Sequence, residues 1–540
     1  MKSLHTLLTA LPHFTMTGDE HALARAVTGI YYDSRQCAED ALFVAMRGMA
    51  VDGYDFIPQA IERGARCIVA EREYDAPSGV TVVIVSDARK ALASLSHAWF
   101  DEPSEKLHVF GVTGTNGKTT TTFMLKSLLE ARGEKVGIIG TTGNYIGAEV
   151  IPSSFTTPEA PELCALFVEM RKRGATAIVM EVSSHALTLE RVHRTHFRGA
   201  IFTNLTQDHL DFHETMEKYA AAKQRLFTML PADALIAVNG SDTWSAFMTK
   251  ESVVPEQQRR AFWRTLAQSG QGNSQKNSEE KSQKNSNDVE IIAIRLGFTE
   301  TAFTLSAEGK SYDFTMSPIG GFNVDNAAGC LVMMRLLGAT WEELQGYMQR
   351  VEGAPGRMQR IPLVKSTKQE PETQGMTGDA AVAIVDYAHT PDALEKALLS
   401  CVELRNSLTT GSNASSEEAS RQKGRIFCVF GCGGNRDRTK RPKMGACAAE
   451  LADFIIPTSD NPREEEPLAI LDDILAGIPK EKFATTRVLA DRREAIQYAI
   501  GAARAGDIVL IAGKGHENYQ IIGNERIHFD DAEEVQKCLR

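Results

Sequence analysis

Short apolar runs, separated by polar turns that often carry glycine, recur along this 540-residue chain. Near the start, ALFVAM at 41–46, ARCIVAE at 65–71 and TVVIVS at 81–86 read as buried strands. Next comes LHVFGVTGTNGKTTTTFMLKSLLEARGEKVGIIG at 107–140, which reads as strand, glycine loop, helix, strand. Met124, Leu125, Leu128 and Leu129 fall on one face of that helix, and Gly133 is its natural stop. TAIVMEVSS, GAIFTNL and ALIAVN continue the strand series as far as Asn239. After GAPGRM at 353–358 a new series starts: AVAIVDY, RIFCVFG, DFIIPTSD and DIVLIAG. Strands alternating with helical stretches predict an α/β fold with mainly parallel sheets.

Polar segments punctuate this pattern. DEPSEK at 101–106 reads as a linker, and a second boundary falls near 354. Three domains follow: a smaller α/β domain over 1–104, a central domain with a phosphate-loop sheet over 105–354, and a Rossmann-like domain over 355–540. Residues 268–288, where SQKNS occurs twice, are low-complexity and are expected to be disordered. Similar stretches at 366–380 and 406–424 read as further surface insertions.

Composition narrows the function classes. Hydrophobic residues make up 43% of the chain and charged residues 24%, ordinary values for a globular protein. A net charge of −11 argues against broad nucleic-acid binding but leaves room for a local basic pocket. No apolar run reaches the roughly 18 residues of a membrane span, and the N-terminal stretch, interrupted by His5 and Pro12, does not read as a signal peptide. The nine cysteines form no CxxC pairs, which fits reduced thiols in a cytoplasmic chain.

The chemistry starts at GVTGTNGKTT. A glycine loop between a strand and a helix lets backbone amides approach an anion, and the helix dipole assists. Lys118 would reach the outer phosphates of a nucleotide, and the Thr119 hydroxyl would hold Mg²⁺. The spacing is TGxxGKT rather than the standard phosphate-loop pattern, since Val112 stands where that pattern has its first glycine.

That variant loop resembles the Mur ligase family, and the resemblance runs almost the whole chain. It includes YDSR at 32–35, EVSSHAL at 181–187, NLTQDHLDFH at 204–213, YAAAKQRLF at 219–227 and GGFNVDNAAG at 320–329. It continues with GRM at 356–358, DYAHTPDALEKAL at 386–398, FGCGGNRDRTKRP at 430–442, DNPR at 460–463 and GKGHENYQ at 513–520. The family membership implied here brings an ATP-dependent amide ligase that works through an acyl phosphate. Its expected partners are UDP-N-acetylmuramoyl-L-alanyl-D-glutamate and meso-diaminopimelate, in cytoplasmic peptidoglycan precursor synthesis by a monomer.

The same resemblance assigns residues. Gly114, Thr115, Asn116, Gly117, Lys118, Thr119 and Thr120 would cradle ATP, with Asn323, Asn326, Arg357 and Asp386 as further contacts. Glu181, at the end of a strand, and His209 would be Mg²⁺ ligands beside Thr119. Lys223 would be carbamylated by carbon dioxide, turning a cation into an anion that binds a second Mg²⁺. The residue pattern alone reads Lys223 as a solvated helix position. Tyr32, Ser34, Met49, Ala50 and Val51 match positions that hold the uridine diphosphate. Thr156, Thr157, Ser183, Leu189 and Arg191 match muramoyl-peptide contacts. Phe155 and Leu189 depart from the family pattern, where Asn and Gln or His are common. Arg436, Asp460, Asn461, Pro462, Arg463, Gly513 and Glu517 match contacts to the amino-acid head.

Arg463 sits among Asp460, Glu464, Glu465 and Glu466. A guanidinium can hold a carboxylate through two parallel hydrogen bonds. Such a cation separates diaminopimelate from lysine, which lacks the distal carboxylate; the surrounding acids would orient Arg463 or bind the neighbouring ammonium. The alternatives are a lysine-adding ligase of the same family, a folylpolyglutamate synthetase-like ligase, a kinase using the same loop, and a nucleotide-binding protein without catalysis.

Overall fold

The computed structural model describes residues 1–18, 20–48, 51–147, 149–151, 156–265, 287–297, 300–363, 381–410 and 424–539. The chain packs as two compact units, Met1–Phe262 with Gly329–Ala339, and Trp263–Ala328 with Thr340–Arg540.

Besides a short pairing of Lys2–Ser3 with Ala26–Val27, the described residues of the first unit build two main sheets. One orders its strands Thr15–Thr17, Thr81–Ile84, Ala65–Ala70, Ala41–Val44 and Ile30–Tyr31, all parallel except the first. Ala41–Val44 is buried on both faces: Leu42 and Val44 meet helix Ala88–Trp99 through Leu92 and Leu95, while Phe43 packs with Ile57, Ile68 and Val82. Two-sided burial is why such strands read as unbroken apolar runs. Asp87 starts the helix by accepting hydrogen bonds from the Arg89 and Lys90 amides at 3.0 Å each.

The segment expected to be a linker is instead a packed turn. Pro103–Lys106 is a 3-10 helix with Pro103 and Ser104 buried, and the Ser104 hydroxyl accepts from the His196 amide at 3.0 Å. The proline pre-sets the turn, and the serine satisfies a backbone donor of the larger sheet's segment.

In that larger sheet, strands Val136–Gly140, Ala177–Glu181, His108–Thr113, Phe197–Phe202 and Leu235–Asn239 run parallel. The hairpin Gly143–Ile146 and Glu149–Ile151 adds antiparallel strands at one edge. Helix Lys118–Ala131 buries Met124, Leu125, Leu128 and Leu129 at 0–1% exposure and is followed by Gly133 at φ 99°, as the helix-face reading expects.

The second unit holds an antiparallel set, Val289–Leu296, Thr301–Ala307 and Lys310–Met316. Its main sheet orders Gln359–Leu363, Ala381–Asp386, Ile508–Ala512, Ile426–Phe430 and Phe454–Pro457, parallel except for the first strand. The antiparallel set, the strand Gln359–Leu363 and the hairpin Tyr519–Ile522 with Glu525–His528 are absent from the sequence reading. The interiors of the 268–288, 366–380 and 406–424 insertions lie outside the described residues, though helix Pro391–Thr410 runs into the start of the third.

Arg492 and Asp531 form an ion pair whose side chains are both 0% exposed, with two hydrogen bonds of 2.7 Å. It ties helix Asp531–Leu539 to the sheet, because Arg492 also donates to the Ala512 carbonyl at 3.0 Å. Breaking a buried pair leaves an uncompensated charge and costs about 3–5 kcal/mol. Asp531→Ala is therefore expected to lower the unfolding free energy of this unit by about that amount. Urea denaturation measures it, and a loss below about 1 kcal/mol contradicts the account.

Candidate active site

Strand His108–Thr113 ends at Gly114, whose φ is 152°. A Cβ there would lie 1.9 Å from the Thr203 hydroxyl, so only glycine fits. The loop is then clamped from the neighbouring strand end. Thr115 N donates to Asn204 O at 2.8 Å, Asn116 N to Asn204 Oδ1 at 3.0 Å, and Thr203 Oγ1 to Asn116 O at 2.6 Å. Gly117, at φ 84°, precedes helix Lys118–Ala131. Lys118 Nζ curls back over the loop to the carbonyls of Gly114 (3.0 Å) and Thr115 (2.8 Å).

The structure places Thr119 against Glu181, with Oγ1 donating to Oε1 at 2.9 Å. Glu181 is 1% exposed. It also accepts from Thr141 N at 2.9 Å and Thr141 Oγ1 at 3.0 Å. Gly140 leaves room for it, since a Cβ there would approach Oε1 to 2.5 Å. Among the described residues this buried carboxylate has no ion-pair partner. Oxygen donors of this kind beside a phosphate loop suit Mg²⁺, which is held by one or two protein oxygens, waters and phosphates. Thr119 and Glu181 therefore fit the metal. No three His, Cys, Asp or Glu side chains form a ready-made metal cage among the described residues.

Lys223 lies on helix Met216–Thr228, yet it is 1% exposed rather than solvated. Its Nζ donates to Gly114 O at 2.8 Å and lies 4.6 Å from the Tyr219 ring centroid. Burial first, and the nearby Lys118 charge second, hold its pKa well below the ordinary lysine value. His209 has a left-handed backbone (φ 52°) and a half-exposed ring 6.1 Å from Tyr219. Tyr219 in turn hydrogen-bonds Thr115 Oγ1 at 3.2 Å. His185 and His213 complete an aromatic cluster with His209; burial pushes the His213 pKa down to about 4.

Around the other side of Glu181, Thr157 Oγ1 donates to its carbonyl at 2.8 Å, and Thr156 contacts Thr141 at 3.1 Å. Arg191 donates to Thr157 O at 3.1 Å and to Glu159 at 2.8 Å. Ser183 caps helix Ser184–Thr188, and Leu189 ends it. A pocket of about 500 Å³ is lined by residues that include Tyr32, Ser34, Val51, Phe56, Gln59, Arg89 and Glu159. Ser34 donates to Gln59 at 2.6 Å, and Tyr32 to Glu162 at 2.9 Å. Met49, Ala50 and Phe155 lie outside the described residues. Gln59 and Glu159 were missed because a lone Gln or Glu carries no motif.

In the second unit, Asn323 donates to Ile319 O at 2.6 Å and accepts from Asn326 at 3.0 Å. Asp386 caps two loops by accepting from Met358 N (2.8 Å) and Ala388 N (2.9 Å); Arg357 lies 4.7 Å from the Tyr387 ring centroid. A second set of loops converges at the strand ends. Gly434 touches the DNPR loop so closely that a Cβ would lie 1.8 Å from Pro462 O. Gly433 sits between Arg463 Nη1 and the Arg436 stem, at 2.9 and 3.6 Å from a notional Cβ. Arg463 has φ 52°, held by hydrogen bonds of its own N to Ile521 O (3.1 Å) and of Gly523 N to its carbonyl (2.7 Å). Its Nη1 donates to Gly434 O at 2.8 Å.

The acids around Arg463 do not orient it. Glu465 accepts two 2.9 Å hydrogen bonds from the fully buried Arg441 and another from the Asn435 amide, while Glu464 meets the Asn435 side chain at 3.2 Å. They fasten the loop to helix Lys440–Leu451 instead. Asp460 and Glu517 do join the site, bridged by Lys514 and Asn461. The Asp460 carboxylate lies beside Gly513, 3.4 Å from a notional Cβ.

Comparison with known proteins follows the same layout. The Mur ligase family catalytic domain matches residues 26–99, the Mur ligase middle domain 112–334, and the Mur ligase glutamate ligase domain 372–515. The UDP-N-acetylmuramoyl-L-alanyl-D-glutamate–2,6-diaminopimelate ligase of Syntrophomonas wolfei subsp. wolfei is 38% identical, over 99% of both chains. The like-named ligase of Chlorobaculum tepidum is 42% identical over 96% of this chain and 93% of its own. A solved structure of a ligase of that name superposes with a TM-score of 0.66 at 30% identity, covering 99% and 98% of the two chains.

The Lys223 environment makes stability pH-dependent. An unfolded lysine keeps its proton to about pH 10.4; the folded one releases it well below that. Unfolding therefore takes up a proton, and stability rises with pH across that window. Relative to Lys223→Met, the wild type is expected to gain stability as pH is raised from about 6 toward 10. Urea unfolding in carbon dioxide-free buffer checks this, and a pH-independent difference refutes it.

Proposed function

The chain belongs to the Mur ligase family, and from that premise we propose that it adds meso-2,6-diaminopimelate to UDP-N-acetylmuramoyl-L-alanyl-D-glutamate, converting ATP to ADP and phosphate. The observation that carries the amino-acid choice is that the Arg463 guanidinium and the Arg436 stem meet at Gly433, on the same loops that bring Asp460 and Glu517 to Lys514. Two cations and two carboxylates match a zwitterionic head with one carboxylate and one ammonium. A lysine-adding enzyme has no distal carboxylate to hold. The 26–99 match supports a separate nucleotide-sugar domain, which a folylpolyglutamate synthetase does not need.

The chemistry joins a carboxylate to an amine. The substrate carboxylate attacks the γ-phosphorus of ATP, ADP leaves, and an acyl phosphate forms. The amine then attacks the acyl carbon, loses a proton, and phosphate leaves from the tetrahedral intermediate. Every reactant of the first step is anionic, so positive charge must be concentrated there. The loop amides and Lys118 would cradle the phosphates, and Thr119 and Glu181 would hold Mg²⁺, which would supply positive charge for the transferring phosphoryl. Asn323, Asn326, Arg357 and Asp386 remain assigned to the nucleotide. Tyr32, Ser34 and Val51 are assigned to the uridine diphosphate, and Thr156, Thr157, Ser183, Leu189 and Arg191 to the muramoyl peptide.

Lys223 is assigned as a carbamate. Its neutral amine attacks carbon dioxide, an N–C bond forms, and one proton leaves, so the side chain becomes an anion. The low pKa of this buried lysine supports the reading, because only the unprotonated amine is nucleophilic. His209 and Lys223 both neighbour the Tyr219 ring, and His209 is assigned as the residue that would hold a second Mg²⁺ with that carbamate. Nine free cysteines and nucleotide substrates support a cytoplasmic setting for the reaction.

The test supplies ATP, Mg²⁺ and the UDP-muramoyl dipeptide with meso-diaminopimelate, L-lysine or no amine. Phosphate release and a new amide are expected with diaminopimelate; phosphate release without a new amide in any mixture defeats the ligase reading. Arg463→Ala removes charge-assisted hydrogen bonds worth about 1.5–3 kcal/mol. It is expected to lower kcat/KM for diaminopimelate roughly 10- to 150-fold while KM for ATP holds. Equal losses for both substrates speak against the head-site role. Lys223→Ala is expected to lose activity that bicarbonate does not restore and that short carboxylates partly rescue; full activity refutes the carbamate.

A further inference from the structure

The loop GKGHENYQ contributes Gly513 and Glu517 to the head site, but the lysine between them has no role in that reading. Lys514 is 0% exposed, an unusual state for an ammonium. Its Nζ lies 3.2 Å from Glu517 Oε2, 3.4 Å from Asn461 Oδ1 and 3.7 Å from Asp460 Oδ1, with the Tyr519 ring centroid 5.3 Å away. Asp460 Oδ1 is itself buried and has no hydrogen-bond partner. Asn461 closes the group by donating to Glu517 Oε2 at 3.0 Å and accepting from Ile521 N at 2.9 Å. One ammonium thus sits between two carboxylates that come from different loops.

We infer that Lys514 is the charge-setting residue of the head site: a positioning residue that keeps Asp460 and Glu517 both ionised and aimed, so that together they receive the ammonium of the incoming amino acid. The inference rests on the proposed amino-acid site. Two carboxylates facing each other in a site with little water favour sharing one proton unless a cation lies between them. The other charges around the group do not stand between the two carboxylates: Arg526 lies over the Tyr519 ring at 3.7 Å and Arg357 over the Tyr387 ring at 4.7 Å. Arg492 is committed to Asp531. His516 is held neutral by burial, with its pKa lowered to about 4. Tyr387 and Tyr519 have raised pKa values, burial being the main cause. Arg463 points to Gly434 O. With Lys514 present the three groups sum to one negative charge, which the substrate ammonium cancels. Arg463 and Arg436 are left for its carboxylate.

The experiment measures KM for meso-diaminopimelate, ATP and the UDP-muramoyl dipeptide from about pH 6.5 to 8.5 in the full chain, in Lys514→Met and in Lys514→Arg. The wild type must first use diaminopimelate; its failure to do so is a failure of the proposed function, seen before any variant is made. Lys514→Met is expected to raise KM for diaminopimelate about tenfold or more near pH 7, with the other two KM values within about threefold. That gap narrows as pH rises and the second carboxylate ionises. Lys514→Arg keeps the charge and is expected to show the wild-type pH profile. A pH-independent defect in Lys514→Met, all three KM values moving together, or the same pH dependence in Lys514→Arg overturns the inference. A second measurement needs no variant. Calorimetry of diaminopimelate binding to wild type, with the dipeptide and a non-hydrolysable ATP analogue present, is run near pH 7 in buffers of different ionisation heat. No carboxylate proton is expected to be released, and release of one overturns the inference even if Lys514→Met does not fold.

Discussion

One backbone carbonyl organises the first unit. Gly114 O accepts from Lys118 at 3.0 Å and from Lys223 at 2.8 Å. Two ammonium groups cannot share one acceptor in a dry site at no cost: burial first, and the Lys118 charge second, hold the Lys223 pKa well below the ordinary lysine value. The carbonyl can serve both lysines only because residue 114 has no side chain and the loop turns against Thr203. The turn in turn sets the helix start that aims Lys118 and Thr119, and Thr119 aims Glu181. The positions of the Lys118 ammonium, the buried Lys223 side chain and the Glu181 carboxylate therefore follow from one loop conformation.

The second unit solves a related charge problem differently. Here the carboxylates outnumber the cations in the local sequence, and the structure sorts them by partner. Arg441 takes Glu465 and Asp473, Arg438 shares Asp473, and Lys514 takes Asp460 and Glu517. Arg463 and its neighbour Arg436 take no part in these pairings. An overall charge of −11 is thus compatible with a local cationic seat.

The strands and the phosphate loop were legible because their signals are local. Buried parallel strands must be apolar on both faces, and a phosphate loop must place glycines where side chains collide. The antiparallel strands at 289–316 were not legible: they are not unbroken apolar runs but alternate buried and part-buried residues, as in Thr301–Ala307, and follow a long polar insertion. Lys223 was misread by its own pattern. YAAAKQ looks like a solvated helix position, and only the distant Gly114 carbonyl makes it a buried one. The partner of Glu465 was not legible for the same reason, since Arg441 lies 24 residues away. The linker near 104 became a packed turn through His196, also remote in sequence.

The difference between these cases is physical. Close backbone approach leaves a mark in the sequence, because no residue but glycine survives it. A Cβ at Gly434 would lie 1.8 Å from Pro462 O, and one at Gly356 would lie 2.0 Å from His516 N. Those positions sit inside GCGGNRD and GRM, the motifs that carried the reading. A long side chain that crosses a domain to find its partner leaves no such mark, because many residues could stand at either end of the contact. Lys514 shows both effects within one loop. The glycines on either side of it announce a tight turn, with Gly515 at φ 54° pressed against Gly356 O and Tyr387. The lysine itself, silent in sequence, is fixed by carboxylates contributed from two different turns. Motifs built on glycine thus locate a site, while the charges that tune it must be found from the packing.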